Sequence, residues 1–76
     1  MNLSVTSHVD VQLVMADGAT TNVKSAEYFS GRGMISLRGH VYEPGSIVEI
    51  VIGGQRRTVK AIENKEQVCQ IRFELE

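Results

Sequence analysis

With one cysteine, one proline and no tryptophan among 76 residues, the chain lacks several of the usual means of staking out a small fold. Cys69 has no partner for an internal disulfide, so the fold needs no oxidising compartment, and a buried, reduced thiol in a cytoplasmic protein is expected. No stretch approaches 18 uninterrupted apolar residues, and "MNLSVTSHVDVQLVM" has no Lys or Arg ahead of an apolar run. Neither a membrane helix nor a signal peptide is therefore expected. A dominant charge is missing too. Eight Lys and Arg against nine Asp and Glu leave a net charge of −1, which removes the long-range pull of a basic domain toward nucleic acid or anionic membrane. At this length the chain is expected to form one domain, residues 1–76, too small for a large buried active site.

Catalytic and metal-binding chemistry is equally sparse. Cys69 alternates with Ile71 and Phe73 on what reads as the inward face of a strand, where a thiol stays neutral and inert, so no enzyme activity is expected. His8 and His40 lie in no short spacing with a second ligand; both read as surface or turn residues, and neither a metal nor a cofactor is implied. Glu63, Glu66, Glu74 and Glu76 alternate with Lys65 and Arg72 as a solvated face does. Arg56 and Arg57 point to opposite faces of one strand, so they make no phosphate clamp, although either could pair with Glu49 across a hairpin.

What the chain does have is a period of two. Val9, Val11, Leu13 and Met15 alternate with His8, Asp10, Gln12 and Val14, the pattern of a strand with one face on a core. After the "MADG" turn, residues 19–29 read as a long, bent second strand, ended by "SGRG". Met34–Arg38 reads as a third, with Ile35 and Leu37 on one face. Pro44 and Gly45 make a tight turn into Ile47–Ile52, and Gly53-Gly54 is a two-residue hairpin signal leading to residues 56–62. "ENKEQ" turns the chain again, and residues 68–75 alternate with Cys69, Ile71, Phe73 and Leu75 inward. Six short strands with no helix predict an antiparallel meander, and closure into a small β-barrel is the way so short a meander protects its edges.

The order and spacing of "YFSGRGMISL", "EPGSIVEIVI", "RRTVKAIEN" and "CQIRFE" resemble those of PilZ domains, over about residues 8–75. These are six-stranded barrels that commonly bind the bacterial second messenger cyclic di-GMP. The family's loop motif is Asp or Asn, any residue, Ser, two residues, Gly. Ser30 and Gly33 match it, Phe29 takes the variable place, and Tyr28 stands where the Asp or Asn should be. A tyrosine cannot reproduce the short hydrogen-bonding edge that an Asp or Asn offers a guanine. The turn at Pro44-Gly45 and the closing strand also resemble the family, with Gln70 where a glycine often occurs. The family's Arg-xxx-Arg arm, which grips the ligand phosphates, would fall within residues 1–8, where there is no Lys or Arg. Hydrogen bonds to charged groups are worth roughly 1.5–3 kcal/mol each, so losing two weakens binding by about two to four powers of ten. The helix that often follows the barrel has no counterpart before the chain stops at Glu76.

The resemblance thus implies a non-catalytic regulatory barrel related to cyclic di-GMP signalling, with direct cyclic di-GMP binding lost or weak, that acts through contact with a protein partner, a homodimer included. The candidate contact surface is Arg32, Arg38, Tyr42, Ile47 and Val51, with Ile47 and Val51 flanking Glu49 on the outer face. The alternative keeps a nucleotide at the 30–33 loop, with Tyr28, Ser30, Arg32, Gly33 and Arg38 as candidate ligand residues and Arg32 and Arg38 replacing the missing arm. A plain glycine-rich turn with Arg32 at its tip accounts for "SGRG" equally well. A small nucleic-acid-binding barrel is disfavoured by the charge and by the shortage of stacking aromatics, since only Tyr28, Phe29, Tyr42 and Phe73 are present and Phe73 reads as core.

Overall fold

The computed structural model describes residues 6–74; of residues 1–8, where the arm would fall, residues 1–5 lie outside the described residues, as does the end of the last expected strand at Leu75. The elements are six strands, β1 (Thr6–Met15), β2 (Thr20–Phe29), β3 (Met34–Arg38), β4 (Ile47–Ile52), β5 (Gln55–Lys65) and β6 (Val68–Phe73), with a turn of 3₁₀ helix at Ser30–Arg32 between β2 and β3. They close into an all-antiparallel barrel in the order β1-β2-β3-β6-β5-β4. The closure is the one expected, but the order is not a simple meander. β3 pairs with β6, not with β4, and the ring closes from β4 back to β1. Two three-stranded ribbons, β1-β2-β3 and β4-β5-β6, are therefore laid edge to edge, and no local pattern specifies which edges meet.

Alternation places the core. Leu13, Ile35, Leu37, Ile50, Cys69 and Ile71 are the fully buried side chains, each facing inward in register with inward neighbours. At about 1.5–3 kcal/mol for each fully buried large aliphatic side chain, this small set supplies the main favourable contribution to folding. The β3 strand is buried on both faces. Met34 and Ser36 look outward yet are 5% exposed, held in register between Phe29 and Arg72 and between Glu27 and Gln70, respectively.

Three irregularities re-aim side chains along the strands. Opposite Asp10, β2 contributes both Lys24 and Ser25 between the Val11↔Val23 and Val9↔Ala26 pairs. Ser25 sits at φ 60°, and its N–H donates to Asp10 Oδ1 at 3.1 Å. This bulge makes the expected bend, and it lets Val23 and Ala26 both face the core. On β5, Lys60 is the extra residue between Val59↔Phe73 and Ala61↔Arg72. On β4, Val14↔Glu49 is followed by Met15↔Ile47, which leaves Val48 unpaired and 43% exposed. That bulge overturns one expectation: Ile47, read as an outer contact residue, is turned inward and is only 2% exposed. Strict alternation from Ile50 would have put Val48 inside; one extra residue reverses the face of what precedes it.

The barrel has two ends. At one lie the start of β1, the 30–33 turn, the 53–54 hairpin turn and the end of β6; at the other lie the 16–19 turn, the 39–46 crossover and the 66–67 turn. Tyr28 fills the first from within, its ring stacked on Phe73 with centroids 6.2 Å apart. Tyr42, on the crossover, packs against the core at the second.

Candidate functional site

The 30–33 turn is built from the end of β2 and the start of β3. Ser30, Gly31 and Arg32 make one 3₁₀ turn, after which Gly33 takes the left-handed conformation, φ 62°, ψ 47°, and donates its N–H to Ser30 O at 3.4 Å. The Gly33 carbonyl accepts from Phe73 N at 2.8 Å. Gly33 is itself buried. A left-handed backbone at a buried position favours a residue without Cβ, so the turn accounts for this glycine without a ligand. Ser30 and Arg32 are exposed, and among the described residues Arg32 has no ion-pair partner.

Tyr28 does not face this turn. It pairs with Ile35 and Ser7 on the inward side of β2, stacks on Phe73 and packs against the core. The position that resembles the motif's Asp or Asn is thus taken by an aromatic stopper for the barrel end. An offset aromatic pair of this kind adds roughly 0.5–1.5 kcal/mol beyond its buried area.

The remaining candidates are dispersed. Arg38 closes β3 at the other end of the barrel as the fifth residue after the 30–33 turn, about 17 Å from it at a strand's rise. Arg32 and Arg38 therefore cannot grip one phosphate group together. Tyr42 is half-buried on the crossover, its ring 6.1 Å from that of His40 and nearly parallel to it at 4°. Val51 does face outward, half-buried between Gln12 and Arg56 in register. Arg32 thus stands at one end, Arg38 and Tyr42 at the other, Val51 on the outer wall and Ile47 in the core. The five expected contact residues form no single surface.

The structure brings forward a cation that the sequence pattern places on a solvated face. Arg72 pairs with Met34, the residue after the turn, because β6 lies beside β3, and its side chain is outward and exposed. Only the non-sequential β3–β6 pairing places it there, and no spacing in the sequence signals it. Arg56 is engaged, donating to Glu49 Oε1 at 3.0 Å across the hairpin, and Arg57 donates to Gln55 Oε1 at 2.9 Å.

Two hollows mark the outer surface. An open groove of about 420 Å³ lies over the β2 bulge, lined by Asp10, Gln12, Asn22, Lys24, Val51 and the 53–54 turn among others. A smaller, more apolar hollow of about 290 Å³ is formed by Met15, Ala16, Asp17, Ala19 and Ser46. No residue of the 30–33 turn lines either. Cys69 is fully buried, and burial pushes its thiol above its ordinary pKa, with a smaller opposing pull from a hydrogen bond to the Tyr42 backbone. Among the described residues no three His, Cys, Asp or Glu side chains gather as a metal cluster, and no helix is long and apolar enough to cross a membrane.

Comparison with known proteins gives no match: no family model, no curated protein and no solved structure aligns with this chain.

Proposed function

We propose that this chain is a non-catalytic, PilZ-like regulatory barrel in which direct cyclic di-GMP binding has been lost or made weak, and which works through contact with a protein in the cytoplasm. The observation that carries this reading is the placement of Tyr28: at the motif's acid or amide position the side chain is inward and stacked on Phe73, leaving the turn without the motif's short carboxylate or amide for a guanine edge. The self-contained hydrogen bonding of the 30–33 turn, with Gly33 tied to both Ser30 and Phe73, supports it. So does the closed six-stranded barrel, the architecture that the resemblance implies.

A second reading keeps a nucleotide at the turn, and one observation favours it: Arg32 and Arg72 are both exposed cations near the same end of β3, where Arg38 is not. Calorimetric titration with cyclic di-GMP at moderate salt separates the two. The contact reading expects no saturable heat in the micromolar range from a folded sample. Saturable micromolar heat that is lost in Arg32→Glu and in Arg72→Glu, with the fold intact by circular dichroism, would overturn it in favour of the nucleotide reading. Oligonucleotide binding that falls steeply with added salt would revive the third class, a nucleic-acid barrel.

A further inference from the structure

The crossover of residues 39–46 is unlike every other connection in the molecule. It joins strands that are not neighbours, carrying the chain from β3 beside β6 to β4 beside β1, and so it spans one whole end of the barrel. Its attachments to the barrel floor are few. Gly39 N–H donates to Gln67 O at 2.8 Å. At mid-span, both backbone groups of Tyr42 are taken by one side chain: Tyr42 N–H donates to Asn64 Oδ1 at 3.4 Å, and Asn64 Nδ2 donates to Tyr42 O at 2.8 Å. Asn64 faces Cys69 in the β5–β6 register, and the Tyr42 backbone lies close enough to the Cys69 thiol to pull its pKa down against burial. Near the far side Ala16 N–H donates to Ser46 O at 2.8 Å.

Two glycines bracket this span. Gly39 and Gly45 lie at φ 78° and 87°, and a Cβ at either would meet nothing within 4 Å. Neither is needed for close packing; each supplies a backbone conformation that other residues resist. Barrel closure, meanwhile, runs through the β1–β4 and β3–β6 ladders and uses no residue from 40 to 45.

From these contacts we propose that residues 39–46 are a detachable strap: hinged at Gly39 and Gly45 and latched at mid-span by Asn64, the strap lifts as a unit from the barrel end. Opening bares the apolar end around Leu37, Ile47 and Cys69 while the six strands stay paired. Elements held by few contacts open at lower free energy than the whole fold, and this strap is held by the Gly39–Gln67 and Ala16–Ser46 bonds at its two ends, the Asn64 latch and the seating of the Tyr42 ring. The device is at the opposite end from the 30–33 turn and stands whether or not that turn binds a nucleotide.

Cys69 reports the opening, since it is fully buried beneath Tyr42 and is the only thiol. The full chain is treated with iodoacetamide at pH 8 in increasing sub-denaturing urea, as wild type and as Asn64→Ala. The expected result is alkylation nearly independent of urea in the wild type, and faster by roughly ten- to a hundredfold in Asn64→Ala, the effect of removing two hydrogen bonds from the closed state. Alkylation that rises in both proteins with the full urea dependence of global unfolding would overturn the proposal. Should Asn64→Ala fail to fold, amide exchange in the wild type decides: a common, weakly urea-dependent opening of the Gly39 and Tyr42 amides supports the strap, and protection equal to that of Ile35 and Ile71 overturns it.

Discussion

The two hairpin turns that bracket β5 have the same backbone and opposite sequences. Gly53 and Gly54 connect β4 to β5 at φ 58° and 81°; Glu66 and Gln67 connect β5 to β6 at φ 50° and 68°. Both are two-residue connections with positive φ at each central position, the sense that matches the twist of paired strands. In the first, glycine makes the conformation free of Cβ strain. The second holds two ordinary side chains in a conformation costing roughly 1–2 kcal/mol per residue, so something outside the turn must impose it. Two anchors are visible: Gln67 O accepts from Gly39 N–H at 2.8 Å, and two residues beyond Gln67 the fully buried Cys69 faces Asn64. One turn is dictated by its own residues, the other by the barrel around it.

The largest effect should come from placing a β-branched residue in the turn that depends on glycine. At Gly54 a Cβ meets nothing within 4 Å, so any cost is conformational rather than steric. Gly54→Val is expected to lower stability by about 2 kcal/mol, and Gly54→Asn by less than half of that, because Asn tolerates the left-handed region. Urea unfolding of the two variants measures the difference; equal losses would mean that the turn senses bulk rather than φ.

Next is the anchor behind the second turn. Burial raises the Cys69 thiol above its ordinary pKa of 9.0. Below that value the thiol is protonated in both folded and unfolded chains and stability is unaffected. As pH rises through it, only the unfolded chain readily loses the proton, and stability falls, by at most about 1.4 kcal/mol per pH unit. The wild type should therefore lose stability between pH 8.5 and 10.5 more steeply than Cys69→Ala, whose own stability starts lower from the cavity it leaves. Parallel pH profiles would show that the thiol is not held neutral.

The same division between local and imposed structure governs what could be read in advance. Strands, the inward sets on β1 and β6, and the Gly53-Gly54 hairpin follow from alternation and turn chemistry. The barrel's closure follows from the need to protect edges. Alternation misplaces Ile47 because a bulge at Val48 shifts the face by one residue, and nothing in "SIVEIVI" announces a bulge. The sequence pattern ends β5 at Ile62 because "ENKEQ" looks like a loop, whereas β5 continues to Lys65 before the turn. In the candidate site, Ser30, Gly31 and Arg32 form the expected turn. The inward aim of Tyr28, the separation of Arg38 from Arg32 and the approach of Arg72 depend on strand direction and on the β3–β6 pairing, which link residues far apart in the chain.

The smallest effect tests the comparison most directly. If the 66–67 turn is imposed by its anchors, relieving its strain should stabilise the protein without changing its structure. Gln67 is exposed, its φ is 68°, and it bonds Gly39 through its carbonyl, so Gln67→Gly keeps that bond. Glycine recovers about 1–2 kcal/mol of left-handed strain and gives back roughly 0.4–1 kcal/mol through the greater freedom of the unfolded chain. A net gain of about 0.5–1 kcal/mol in urea unfolding is expected, and Glu66→Gly should behave alike. A loss in both variants would show that the two side chains contribute to the turn, and that it is dictated by its own residues after all.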